Sequence, residues 1–420
     1  VRQQFWAAVI GTVWPVIAVH AQDRDPAPPE LGTAVVPAKT ARLPIIPIPD
    51  IGTDPNSGTT VGLLPVWLSS NDKGEISRII APDFLHNPYF GYGGDARIFA
   101  YPSADTQWSI TGGAKQRVER GVDAEYETGR LRQSEWSLGV GLQYSRIGTP
   151  RFYGIGNETP ASAESVYTQE QGRAEMRLGF NITPAWQLRE TIRYEIVDVL
   201  PGHLTEVASL PTRFGNILGV GTSESLLERF SASYDTRDDL TVPKHGAQLV
   251  AYVGIASRAG VLNDNSYSEA GIDGRIFVPL GAKTVLAAHA ALRYLPEAEH
   301  VPFWALSTIG GDRSEIGGVQ PLRAYGAGRY YDRDSFSTTV EVRRNVYSFN
   351  AMSTHVDLEA APFIDSGRVF GTGGTFPLSQ LHTIGGVGIR GIAPPFVVGY
   401  VDLGYGDDGL AVFSGINYPF

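Results

Sequence analysis

The run Gly386-Val387-Gly388-Ile389-Arg390-Gly391 has the G-x-G-x-x-G spacing that lets a backbone approach a pyrophosphate. That chemistry needs a helix to open directly behind the glycines, and Pro394-Pro395 prevents one. Glycines within a strand are the better account. Metal chemistry finds no more support, because His20, His86, His203, His245, His289, His300, His355 and His382 show no close-spaced ligand pattern. Cysteine is absent, which removes both a disulfide framework and a thiolate metal site. A G-x-S-x-G nucleophile elbow is missing as well, so the chain does not read as an enzyme and implies no cofactor or metal.

The charged residues say more, through the strands that carry them. Between Ser266 and Leu280, Ala270, Ile272, Ile276, Val278 and Leu280 share one parity, while Glu269, Asp273 and Arg275 share the other. Lys283 to Leu295 sets Leu286, Ala288, Ala290, Leu292 and Tyr294 against His289 and Arg293. Pro184 to Asp198 sets Trp186, Leu188, Ile192, Tyr194 and Ile196 against Arg189, Arg193 and Glu195. Strands of soluble sandwiches run to about five or six residues, whereas these run to roughly ten or more, the length a tilted membrane strand requires. The expectation is an all-β, transmembrane antiparallel barrel with apolar residues toward lipid and charges toward the lumen. His289 and His355 both fall on the luminal parity, which explains them without catalysis.

Composition fits such a barrel. Forty-nine glycines and a mean hydropathy of -0.09 are too glycine-rich and too polar for a bundle of membrane helices. Val1-Arg2 gives a short positive start, Phe5 to Val19 is almost wholly apolar, and Val19-His20-Ala21 offers small residues where a signal peptidase reads. Residues 1–21 are therefore expected to be a signal peptide cleaved before Gln22, since about fifteen apolar residues fall short of the roughly twenty a spanning helix needs. Its removal leaves 33 basic against 44 acidic residues, the opposite of a nucleic-acid footprint. Residues 22–57 are Pro-rich without helical or strand period up to Asn56 and are expected to be an extended periplasmic lead-in, with the barrel over 58–420.

Period-two blocks place candidate strands near 59–69, 75–85, 91–101, 106–118, 122–131, 134–146, 169–181, 185–198, 226–238, 246–257, 267–279, 283–295, 335–348, 354–366, 381–393, 396–405 and 410–420. Single-chain barrels of this kind have an even strand number, so the weakest block, 122–131, is set aside and about 16 strands are expected. Trp108, Trp136 and Trp186 sit near strand ends, where an interfacial aromatic belt would put them. In the last block Leu410, Val412, Ile416, Tyr418 and Phe420 share one parity and should face lipid as the closing strand. Pro419 removes a ladder donor there and marks either a loosely paired seam or an edge. A long strand-free interval, Pro296 to Asp334, holds Gly310-Gly311, Gly317-Gly318, Leu322-Arg323-Ala324-Tyr325-Gly326, Arg329 and Asp332. Such an interval inside a compact domain is usually functional or disordered.

Leu322-Arg323-Ala324-Tyr325 resembles the Val-Arg-Gly-Phe/Tyr tip of the long inward-folded loop in the BamA/TamA superfamily, also called the bacterial surface antigen family. Tyr234-Asp235-Thr236-Arg237-Asp238 with Pro243 and Gly246, Glu341-Val342-Arg343, Phe363-Ile364-Asp365-Ser366-Gly367 and the aromatic carboxyl end follow in that family's order. Arg151-Phe152-Tyr153-Gly154-Ile155-Gly156-Asn157 is similar to a loop of members that consist of a barrel alone. The resemblance implies that the loop near 296–334 folds into the lumen. It also implies that Arg323 is held there by Glu341 and Asp365, with Leu322, Ala324, Tyr325 and Gly326 around it as the tip. Parity agrees independently: Val340 and Val342 flank Glu341 on the outward face, and Ile364 precedes Asp365, so both acids point to the lumen. Ile416, Tyr418 and Phe420 match the family's carboxyl-terminal assembly signal.

Two features depart from the family. Ala324 stands where a glycine is usual, so a positive φ there would strain it or reshape the tip. The lead-in is also too short for a periplasmic POTRA domain, the part that handles clients in relatives. The resemblance implies a bacterial outer-membrane protein that inserts or translocates proteins or other clients. Its partners would be outer-membrane lipid, the assembly machinery during biogenesis and an unfolded protein client, with no nucleic acid. Two other readings stand beside it: a passive pore, which needs an open lumen, and a barrel-embedded lipid hydrolase, which needs a Ser and a His in hydrogen-bond reach at the outer rim.

Overall fold

The computed structural model describes residues 46–70, 76–103, 105–239, 242–257, 266–297, 300–351, 354–371, 380–393, 396–415 and 418–420. The expected signal peptide and the lead-in up to residue 45 lie outside the described residues, as do Ile416 and the side chain of His355.

Alternating sequences become strands because each buries one parity and solvates or lipidates the other. The wall opens with β1 (Ile46–Asp54), β2 (Gly58–Ser70), β3 (Ile76–Asn87), β4 (Gly91–Ser103), β5 (Thr106–Lys115), β6 (Arg120–Thr128) and β7 (Trp136–Ile147). After the two-residue β8 (Arg151–Phe152) come β9 (Ser165–Asn181), β10 (Trp186–Pro201), β11 (Gly221–Asp235), β12 (Gly246–Ser257), β13 (Tyr267–Gly281) and β14 (Thr284–Glu297). The long loop carries β15 (Ser307–Ile309) and β16 (Tyr330–Asp332), which pair with each other. β17 (Asp334–Ala351), β18 (Thr354–Phe370), β19 (His382–Ala393), β20 (Phe396–Gly406) and β21 (Gly409–Gly415) complete the wall.

Every wall strand pairs antiparallel with the next, β7 passing directly to β9 and β14 to β17. Among the described residues eighteen strands form this nearly closed barrel, two more than the sixteen expected. One comes from the block set aside: β6 is laddered to β5 and β7 along its whole length. The other is β1, which lies in the Pro-rich stretch expected to be strand-free up to Asn56 and pairs with β2 from Ile46↔Val66 to Asp54↔Gly58. Prolines hid it, and an edge strand is where prolines are tolerated.

The parities hold in the strands tested above. Ile272, Ile276, Val278 and Leu280 are exposed while Glu269 and Asp273 are buried; Trp186, Tyr194 and Ile196 are exposed while Arg189 and Glu195 are buried. One end of the barrel has short connections such as 182–185 and 282–283, and the other has long ones such as 148–164 and 202–220, the asymmetry of outer-membrane barrels. Trp136 and Trp186 stand exposed at the short-turn ends of β7 and β10, against Phe180 at 5.1 Å and Tyr234 at 4.8 Å. At the long-loop end an apolar cluster built on Phe152, Tyr167, Leu210, Phe303, Leu306 and Tyr331 packs the loops together.

Where β1 meets β21, no ladder pairing occurs among the described residues. The Ser414 hydroxyl stands in for one, accepting from Thr53 N at 2.9 Å and donating to Ile51 O at 3.3 Å. The backbone groups of residues 51 and 53 therefore point toward β21, and so must those of Pro47 and Pro49, which have no N–H to offer. The closing strand also ends earlier than expected. β21 stops at Gly415, and Tyr418 and Phe420, expected to face lipid, are buried in the lumen instead.

Candidate functional site

The tip of the long loop reaches the lumen between β17, β18 and β20. Arg323 is fully buried and its guanidinium is ringed by carboxylates. Its Nε and Nη2 donate to Asp365 Oδ2 at 2.9 Å and Oδ1 at 2.7 Å, the bidentate fork that only arginine can make. Nη1 donates to Glu341 Oε1 at 2.6 Å and to Asp402 Oδ2 at 2.8 Å. The backbone N of Arg323 adds a bond to Asp365 Oδ2 at 3.0 Å, and the Phe363 ring lies 3.4 Å from Cζ. Burial alone would lower the pKa of this guanidinium, but Asp365, Glu341 and Asp402 outweigh it and hold it well above the usual arginine range.

A second tier completes the charge balance. Glu341 also receives Arg390 through Nη1 and Nη2, both at 2.9 Å, and Arg343 Nε at 2.9 Å. Arg390 lies 3.5 Å from Asp402 and 3.6 Å from Glu359. Three arginines and four carboxylates thus share a buried site and pair with one another, the condition under which buried ions are tolerable. The structure therefore brings together Arg323, Glu341 and Asp365, the residues named from the resemblance, and adds Asp402, Arg390 and Arg343. Asp402 was readable in principle, since Val401 and Leu403 flank it on the outward parity.

Glycines make room for this site. A Cβ on Gly404 of β20 would sit 1.7 Å from the Arg323 carbonyl oxygen, and one on Gly406 would sit 2.9 Å from the Ala324 methyl. Ala324 thus fits where relatives have glycine, with the space taken from the wall. It carries no left-handed strain, because among the described residues only Val118, Arg132 and Gln380 combine a side chain with a positive φ. The G-x-G-x-x-G run has its role here too: a Cβ on Gly386 would meet the Phe363 ring at 2.2 Å, and one on Gly388 would meet Asp402 Oδ1 at 2.2 Å.

The rest of the tip is equally fixed. Leu322, Ala324, Tyr325 and Tyr330 are buried against Phe363, Val369 and Ile384. Gly326 lies against Asn56, whose Nδ2 donates to Ala327 O at 2.8 Å, so the β1–β2 turn grips the loop. Arg329 donates to Asp408 Oδ2 at 2.7 Å between the rings of Tyr153 and Tyr330. Gly156 N donates to Tyr331 O at 2.7 Å, and Asn157 Oδ1 accepts from Val369 N at 3.1 Å, tying the 151–157 loop to the same structure.

One serine and histidine do meet. Ser314 Oγ is 3.2 Å from His289 Nε2, with Asp273 Oδ2 2.9 Å from the same nitrogen. A nucleophilic triad needs the acid on the other ring nitrogen, and His289 Nδ1 has no hydrogen-bond partner. The group is buried in the lumen beneath Phe420 rather than at the rim, so it has the geometry of packing.

A model of the Omp85 superfamily domain matches residues 106–397. The fold is similar to the crystal structure of BamA from Haemophilus ducreyi lacking POTRA domains 1-3, at a TM-score of 0.54 and 13% identity over 84% of this chain and 75% of that one. CdiB from Escherichia coli is also similar, at a TM-score of 0.46 and 12% identity over 88% of this chain and 62% of that one. No curated protein matches the sequence.

Proposed function

We propose a function from one premise: this chain belongs to the Omp85 superfamily of outer-membrane β-barrels. It acts in the insertion or translocation of proteins at the outer membrane, with the loop between β14 and β17 as a plug that Arg323 locks in the lumen. The observation that carries this reading is the triple carboxylate clasp on Arg323, a strong set of charge-assisted bonds spent on holding a loop rather than on a ligand. A passive pore has no use for a filled lumen, and an enzyme would need a reachable nucleophile. The barrel itself depends on the assembly machinery that folds outer-membrane proteins, and its client is an unfolded protein.

The test is deletion of the gene followed by quantitation of the other outer-membrane proteins. At least one barrel protein is expected to fall in abundance and to recover when the wild-type gene is restored. Unchanged levels across the whole set overturn the reading.

A further inference from the structure

A row of charged side chains crosses the outward face of the barrel at one rim. Arg120 of β6 stands in register with Arg146 of β7, Arg146 with Glu170 of β9, and Glu170 with Asp198 of β10. All four share the parity of the exposed Val122, Leu142, Met176 and Ile196, so they face away from the lumen. From Trp136 to Arg146, β7 rises about 25 Å at ~3.3 Å per residue and a tilt of about 40°, the height of the apolar band. Arg146 and its neighbours therefore stand at headgroup level. They lie at the long-loop end, which in an outer-membrane barrel faces the outside.

Two observations make the Arg120–Arg146 end of this row a receptor for an anionic amphiphile. The first is an excess of cation. Like charges directly opposite on neighbouring strands destabilise a sheet, yet here two arginines sit so and share one carboxylate. Arg146 Nη1 donates to Glu170 Oε2 at 3.1 Å, while Arg120 Nε donates to the Tyr144 hydroxyl at 3.1 Å, which donates to Glu170 Oε1 at 2.6 Å. Arg117, exposed on the turn before β6, adds a third cation. Asp198 does not offset them: β9 separates it from β7 by about 10 Å, beyond a screening length of about 8 Å, and its Oδ1 accepts from the Thr222 hydroxyl at 3.2 Å. Donors are left for an incoming oxyanion, since the Arg120 side chain is 52% exposed and Arg146 Nε has no hydrogen-bond partner among the described residues. The second observation is the apolar surface just below. Gly172 and Ala174 of β9 lie between Tyr144 and Leu142 of β7 and Ile196 and Tyr194 of β10, so small residues floor a shallow slot beneath Glu170. On β12 and β13 the outward residues at the same end, Ser257 and Ser268, carry no charge.

We infer that Arg120 and Arg146 form a binding site for the phosphate of an outer-leaflet lipid, with the slot over Gly172 and Ala174 taking one of its acyl chains. Guanidinium forks match phosphate oxygens in pairs. Glu170 positions both forks and is the charge with which the phosphate competes. The inference is independent of whether the chain inserts or translocates proteins.

The probe is diphosphoryl lipid A, titrated into the purified full-length barrel in nonionic micelles and read by native mass spectrometry. Saturable binding is expected, weakened roughly tenfold or more when Arg120→Gln and Arg146→Gln are combined, because the charge-assisted bonds are lost. Glu170→Gln should tighten binding by roughly threefold, since the competing carboxylate is neutralised. Arg344→Gln, an exposed arginine near the short-turn end of β17, should leave it unchanged. Heat-modifiable migration checks folding, and if the double variant does not fold, Arg120→Gln alone and Glu170→Gln carry the test. A folded Arg120 variant that binds as wild type, or an equal loss in Arg344→Gln, overturns the inference. Inorganic pyrophosphate binding as tightly as lipid A overturns its assignment to a lipid.

Discussion

Arg323 converts four acceptor contacts into a single anchoring point, so its removal leaves Asp365, Glu341 and Asp402 buried around no cation. Breaking a buried ion pair from one side costs about 3–5 kcal/mol. Arg323→Ala should lower the midpoint of urea unfolding in micelles accordingly, and Arg323→Lys should fall between, keeping the charge while losing the fork to Asp365. If the lysine variant matches wild type, the bidentate geometry is irrelevant. Gly404→Ala tests the same clasp from the wall side. Its Cβ would overlap the Arg323 carbonyl at 1.7 Å, so the loop tip must shift, with an overpacking cost of about 1–3 kcal/mol or more; wild-type stability in that variant would mean the tip is not seated on β20. At this scale the sequence was informative where strand parity decides, as for Glu341 and Asp365. Asp402 joins the clasp because the loop lands between β17 and β20, and Arg390 joins through Glu341 on the wall; period-two alternation says nothing about where a loop lands or which luminal charges pair.

Strand blocks were legible because lipid demands long, uninterrupted alternation, and seventeen candidate blocks became strands. β1 escaped because its donors are thinned by Pro47 and Pro49, and the same residues explain its place at the seam. An edge short of N–H groups resists pairing with a further strand. Ser414 then does for this seam what a ladder does elsewhere. Ser414→Ala removes both of its bonds, worth about 1–3 kcal/mol together, and hydrogen exchange at the Thr53 amide should accelerate by roughly tenfold, with the β9–β10 amides unchanged. Unaltered exchange at Thr53 would mean that the hydroxyl does not hold the edge. β21 misled for the opposite reason: its alternation continues to Phe420, but burial of Tyr418 on Arg343 and Phe420 on His289 outcompetes the wall.

Across the whole barrel, the plug, the tail and the seam are one connected system. The plug loop holds the carboxyl-terminal tail through Arg313 and Ser314, β21 ends at Gly415, and the Ser414 hydroxyl bonds the β1 backbone at the seam. If clients pass through the seam, joining its edges covalently must stop them while leaving the Arg323 clasp intact. The Ser414 hydroxyl lies between Ile51 O and Thr53 N, abreast of Gly52. The chain has no cysteine of its own, so Gly52→Cys with Ser414→Cys introduces the sole thiol pair. Oxidation of that pair should abolish complementation of the deletion strain, and reductant should restore it to the level of the Ser414→Cys single variant, the reference that already lacks the Ser414 hydroxyl. Passage along the lumen makes the opposite demand. There the oxidised double variant would stay active, and Arg323→Ala alone would change planar-bilayer conductance and client yield together. Because the two routes place the moving part on different strands, a crosslinked barrel that still complements rules out the seam.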